Sequence, residues 1–129
     1  MIGYRVTFDV CKGAMLTIDD HVNLTQDLVI SCGSEITIGA YSGIGEYSSI
    51  RDGEHGYSAQ YRIHQQPTTY SAIVIGSDVQ ISRGCMISGG SRIENGAIIG
   101  ANSMVTGRVK TVEFGIYIGQ PVKFIGKRT

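Results

Sequence analysis

The 129-residue chain has no tryptophan, two prolines and three cysteines, and its eleven basic and eleven acidic side chains cancel to a net charge of zero. Each shortage excludes something. Two prolines against 18 glycines, without a tripeptide period, rule out a collagen-like assembly and place the glycines at the corners of a compact fold. Zero net charge leaves no electrostatic footprint for DNA, RNA or an anionic membrane as partner. No run of about 18 apolar residues is present to span a bilayer, and nothing resembles a signal peptide. Cys11, Cys32 and Cys85 are an odd number with no CxxC pair, so the expectation is reduced thiols in a cytoplasmic protein. The length sets one domain, 1–129, and 42% hydrophobic residues suffice for its core.

What the chain has instead is a six-residue rhythm. Ile75, Ile81, Ile87, Ile93, Ile99 and Val105 follow at intervals of six, and four places after each stands Val79, Cys85, Ser91, Ala97, Ser103 or Val109. A helix repeats every 3.6 residues and a strand every 2, so neither produces this spacing. It suits a three-sided coil in which each short strand turns one bulky aliphatic inward and small residues fill the corners. Three hexapeptides complete a turn. Ile75 is therefore expected beneath Ile93, Ile81 beneath Ile99 and Ile87 beneath Val105, with neighbouring strands about 4.8 Å apart along the axis.

The N-terminal third repeats on a longer step. CKGAMLTID, starting at Cys11, and SCGSEITIG, starting at Ser31, share Gly, a large aliphatic, Thr and Ile in register twenty residues apart, a turn of 18 with a two-residue corner insertion. Ile18, Leu24 and Ile30 mark one coil and Ile38, Ile44 and Ile50 the next, while alternation of Tyr4, Val6 and Phe8 predicts a strand at the start. Between Ile50 and Ile75 the chain spends 25 residues where the rhythm asks for 6. The insertion, 51–72, is polar and aperiodic and holds two of the three histidines and three of the seven tyrosines, a content that favours a functional loop over a tolerated excursion. Beyond the hexapeptides, 110–129 reads as a C-terminal tail in which Pro121 stops the coil and FIGKRT caps its exposed edge.

The hexapeptides, the His-bearing loop and the ending IGQPVK (Ile118 to Lys123) together resemble the hexapeptide-repeat acyltransferases, in their sugar O-acetyltransferase branch, over nearly the whole chain. The resemblance implies an all-β fold, a left-handed parallel β-helix of about five coils with one long inserted loop. It also implies a homotrimer with the active site between adjacent subunits. A thin core of five coils gives a physical reason for such association. The implied reaction is transfer of an acetyl group from acetyl-CoA to a hydroxyl of a sugar or related small acceptor.

The same resemblance assigns residues. His55, in RDGEH, aligns with the family's catalytic base, and imidazole is the side chain that exchanges protons nearest neutral pH. Arg83, through its N–H, falls near the thioester, Ala101 along the pantetheine arm, Thr106 and Gly107 further up, and Lys123 near a phosphate. The family's acceptor-holding Asn has no counterpart; Thr25 and Asp27 are the nearest aligned positions, and Asp27 is the candidate to receive sugar hydroxyls. Val79-Gln80-Ile81-Ser82 replaces the family's Val-Trp-Ile-Gly, which puts Gln80 in the acceptor wall. Gly107-Arg108 replaces Lys-Asp, and an N-terminal helical segment typical of the family has no counterpart. Asp52 and Glu54 flank His55 and are candidates to orient its ring, whereas His21 and His64 are assigned to the surface.

Two other readings remain open at this point. One is a catalytically degenerate trimeric β-helix serving as a binding or structural protein, motivated by Gln80 and the missing Asn. The other is a zinc hydratase on the same fold; His21, His55 and His64 lack the close spacing of its three-histidine site, so no metal is expected. Cys85 reads as core, and Cys11 and Cys32 as neighbours at successive corners.

Overall fold

The computed structural model describes residues 1–129 as a parallel β-helix of five full turns. The first turn is β1 (Val6–Val10), β2 (Met15–Ile18) and β3 (Asn23–Leu24), and the second β4 (Leu28–Cys32), β5 (Glu35–Ile38) and β6 (Gly43–Ile44). The third turn opens with β7 (Ser49–Arg51), leaves the helix as the hairpin β8 (Gly53–His55) and β9 (Thr68–Tyr70), and resumes with β10 (Ile73–Ile75) and β11 (Gln80–Ile81). Strands β12 (Met86–Ile87), β13 (Arg92–Ile93) and β14 (Ile98–Ile99) form the fourth turn. The fifth is β15 (Met104–Val105), a bridge at Lys110 and β16 (Gly115–Gly119), against which β17 (Val122–Lys127) folds back antiparallel.

The three faces are stacks of parallel strands: β1-β4-β7-β12-β15, then β2-β5-β10-β13, then β3-β6-β11-β14-β16 closed by β17. The registers are those the six-residue rhythm demands. Ile75 lies between Ile38 and Ile93, Ile81 between Ile44 and Ile99, and Ile87 between Ile50 and Val105. These ladders are the core, and their members are essentially without solvent contact. The small inward corner positions do more than fill space. Ser42, Ser48 and Ser91 are buried, and their hydroxyls donate to the carbonyls of Gly76, Ser82 and Val105, so no buried side-chain polar atom lacks a partner.

Two corners turn through residues with left-handed backbone. Arg5, Asp27, Tyr47 and Asn102 occupy one stack, and His21, Tyr41, Asp78 and Phe114 the other, with φ between 52° and 65°. Asn, Asp and His tolerate this region best among residues that carry a Cβ. The aromatics at these corners face outward, and His21 stacks on Tyr41 with ring centroids 4.9 Å apart.

The two ends differ. At the C-terminal end Tyr117 turns its ring into the core, takes the Val112 N–H on its hydroxyl at 2.8 Å and carries Phe124 on its edge. The expected tail, 110–129, thus includes the last rung of one face. At the N-terminal end nothing stacks beneath Phe8 and Val10, which stay 40% and 43% exposed although they continue the core register above them. No helix is long and apolar enough to cross a membrane.

Candidate active site

The site begins with how the insertion is held. Asp52, which follows β7, is buried, and its carboxylate accepts three backbone N–H bonds, from Gly33 and Ser34 at 2.8 Å and from Glu35 at 3.1 Å. Its own backbone bonds Ser31 and Ser71, so one residue ties both feet of the insertion to the turn below. Asp52 therefore does not orient the His55 ring as its sequence position allowed; it is committed to the corner of the preceding coil. Gly33 completes the seat, because a Cβ there would stand 1.9 Å from the Tyr70 ring.

From that foot the chain leaves as an antiparallel ribbon in which His55 pairs with Thr68 and Gly53 with Tyr70. The part beyond it, 56–67, is polar but organised. The Gln66 side chain accepts the Ser58 N–H at 2.9 Å and donates to the carbonyls of Ser58 and Tyr61, each at 3.0 Å. A short 3-10 turn, Ile63–Gln65, brings His64 edge-on to His55 with ring centroids 5.9 Å apart. His64, assigned to the surface from sequence, thus neighbours His55. Gln66 carries no motif, and nothing in the sequence singled it out.

Successive side chains of a strand point to opposite sides, and the ribbon divides its surroundings accordingly. Glu54 lines a cavity of about 470 Å³ over the C-terminal coils, together with Met104, Thr106, Gly107, Arg108 and Pro121. His55 lines a cleft of about 200 Å³ over the N-terminal coils, together with Asp9, Cys11, Ser31, Arg51, Thr68 and Tyr70.

The remaining candidates distribute as follows. Thr106 and Gly107 lie in the upper cavity, and their N–H groups, on the last rung of that face, have no acceptor within the chain. Arg83 and Ala101 are exposed at another corner, where the Arg83 N–H is also unpaired and Gly45 passes so close beneath that a Cβ would meet it at 2.5 Å. Lys123 is exposed on β17, and Gln80 points outward from β11 beside Gly43. Asp27 is the exception to its expected availability. Both its oxygens are engaged by the Arg5 guanidinium, with Nη2 at 3.0 Å, and that contact holds its carboxyl below the usual carboxylate range. Within one chain, then, His55 is brought together with neither Asp27 nor Gln80 nor the Thr106–Gly107 pair.

No group of three or more His, Cys, Asp or Glu side chains could hold a metal ion. Cys11 and Cys32 are adjacent through the backbone, with the Cys11 N–H donating to the Cys32 carbonyl at 2.9 Å, yet Cys11 is exposed and Cys32 buried. Burial raises the thiol pKa of both Cys32 and Cys85, which keeps these two protonated and inert.

Residues 72–107 match the bacterial transferase hexapeptide family, six repeats. Over 56 residues the chain is 54% identical to a probable macrolide acetyltransferase of Lysinibacillus sphaericus, covering 43% of this chain and 29% of that protein. It is 32% identical to the putative colanic acid biosynthesis acetyltransferase WcaF of Escherichia coli K12, covering 70% of this chain and 47% of that protein. The chain thus spans less than half the length of these two relatives. Among solved structures, a hexapeptide-repeat acetyltransferase from Vibrio cholerae superposes with a TM-score of 0.81 at 26% identity, over 96% of this chain and 70% of that one. A second structure of that acetyltransferase is a complex with acetyl-CoA.

Proposed function

Taking as premise that the chain belongs to the hexapeptide-repeat acyltransferase family, we propose that it transfers the acetyl group of acetyl-CoA to a hydroxyl of a sugar or related small acceptor, with His55 as general base. The observation that carries this reading is the seating of His55. It stands on a strand-paired ribbon anchored by buried Asp52, at the wall of a cleft, so its imidazole is presented in a fixed place. A base so held loses little freedom when the acceptor binds.

His55 takes the acceptor's hydroxyl proton as the new oxygen–carbon bond forms, and returns it to the departing sulfur as the carbon–sulfur bond breaks. The unpaired N–H of Arg83 is the donor suited to the oxyanion in between. The residues assigned to acetyl-CoA fit an extended thioester ligand chemically. Ala101 and Gly107 keep the backbone approachable, the free N–H groups of Thr106 and Gly107 are donors, and Lys123 is an exposed cation for a phosphate. Gln80 is assigned to the acceptor wall; Asp27, closed on Arg5, is given no such role.

His55 and the Thr106–Gly107 pair lie on opposite sides of the ribbon of one chain. The proposal therefore includes a homotrimer in which one copy's His55 meets a neighbour's acetyl-CoA residues. Light scattering tests the assembly. His55→Ala is expected to lower acetyl transfer by about 10²–10⁴-fold while acetyl-CoA binding, followed by calorimetry, stays near wild type. Retained turnover in that variant removes His55 as base. The engagement of Asp27 by Arg5 favours a second reading, a β-helix that binds without catalysis, and failure of the wild type to bind acetyl-CoA would select it.

A further inference from the structure

The cleft beneath the ribbon holds an unbalanced set of charges. Arg51 follows Ile50 on β7, and its side chain points outward beside Ser49, to whose Oγ it donates from Nε at 3.2 Å. A guanidinium has five N–H donors. The four on its terminal nitrogens find no acceptor in this chain, and Arg51 takes no part in any of the three ion pairs, which are Arg5–Asp27, Arg92–Glu94 and Arg128–Asp78.

The two carboxylates that line the same cleft do not answer it. Asp52 is turned inward onto its three N–H donors. Asp9 lies in the same outward column, in the register Asp9–Ser31–Arg51. A whole rung separates it from Arg51, about 10 Å between backbones at two strand spacings. Ser31 fills that rung and donates to Asp9 at 3.5 Å, which leaves most of the Asp9 acceptor capacity open.

Along one wall of the cleft, therefore, stand an unpaired cation, a hydroxyl and a carboxylate in that order. The ribbon contributes His55, Thr68 and Tyr70 to the same cleft, the last 45% exposed. At about 200 Å³ the space is smaller than the 300–1,000 Å³ typical of drug-sized ligands and suits a single ring. An acid at one end, a ring with hydroxyls in the middle and further hydroxyls at the other end is the complementary ligand. Resting on the acyltransferase reading above, we infer that the acceptor is an anionic sugar of uronic-acid type, whose carboxylate is taken by Arg51 and whose hydroxyls reach Asp9, Thr68 and His55. The guanidinium fork matches a planar carboxylate through two parallel bonds.

The test compares binding of methyl galacturonoside, methyl galactoside and galactose 1-phosphate to the full chain, by saturation-transfer NMR with calorimetric titration, in wild type and in Arg51→Gln. Arg51 is exposed and outward, so the variant retains the fold, which circular dichroism verifies. The galacturonoside is expected to bind in the millimolar range or tighter and about tenfold better than the galactoside. Arg51→Gln is expected to abolish that preference. Equal binding of the two glycosides by wild type, a preference that survives Arg51→Gln, or no uronoside binding in the millimolar range each overturns the inference. Stronger binding of the phosphate than of the uronoside also overturns the carboxylate assignment, in favour of a phosphosugar. Acetyl transfer to the same sugars is followed separately. Arg51-dependent uronoside binding without transfer to any of the three sugars keeps the carboxylate site at Arg51 but overturns its identification as the acceptor site, together with the catalytic reading, whereas transfer to the neutral glycoside alone keeps the catalytic reading and overturns the inference.

Discussion

Asp52 shows how much of the site depends on a residue that does no chemistry. Its buried carboxylate is the shared acceptor for three successive N–H groups of the turn below, and replacing it removes all three of these charge-assisted bonds at once. Asp52→Ala is expected to cost about 2–4 kcal/mol in urea or thermal unfolding. From sequence, Asp52 and Glu54 looked alike, two acids flanking His55. Only the direction of the side chains separates them: Asp52 turns inward to the backbone and Glu54 lines the upper cavity. His64 is the converse case, a histidine nine residues from His55 in sequence that the 3-10 turn returns to its edge.

The insertion behaves as one element. Its strands are paired only from Gly53 to His55 and from Thr68 to Tyr70, and within 56–67 the hydrogen bonds that reach beyond a single turn are the three made by the Gln66 amide. Gln66→Ala is expected to leave the unfolding midpoint of the β-helix nearly unchanged. It should raise the rate of proteolytic cleavage within 56–67 and, under the proposed reaction, lower acetyl transfer about tenfold or more through misplacement of His55. Loss of activity without faster cleavage would show that Gln66 acts in some way other than by ordering the loop. The insertion point itself was readable, since the six-residue rhythm stops at Ile50 and restarts at Ile75. Its internal order was not, because a side-chain amide closing a loop on backbone groups leaves no period to detect.

For the whole molecule, cohesion runs from each turn to the next, and side-chain ties that skip a turn are few. The C-terminal segment supplies one. Arg128 donates to Asp78 at 2.9 Å and to the Gly96 carbonyl at 3.1 Å, and its own N–H bonds the Phe114 carbonyl at 2.8 Å. These three partners belong to the third, fourth and fifth turns at one corner, so the segment straps the upper half of the helix. Arg128→Ala is expected to destabilise by about 1 kcal/mol, since both charged partners are partly exposed and solvent weakens the pair. Thermal unfolding measures the loss, and hydrogen exchange should show it concentrated in β16 and β17.

The sequence by itself determined the β-helix. A bulky aliphatic every six residues can be buried in register only by a three-sided coil, and the positions of Ile75, Ile81 and Ile87 beneath Ile93, Ile99 and Val105 follow from counting alone. Small residues four places on were equally legible as corners. What the tertiary structure decided is the direction of the polar side chains, because these obey no period. It turned Asp52 inward, closed Asp27 on Arg5, ordered the loop through Gln66 and left Arg51 without an ion-pair partner in the cleft that His55 lines. Apolar burial is a one-dimensional pattern written along the chain, whereas the pairing of charges and hydrogen bonds is settled between strands that meet only after the coil has wound.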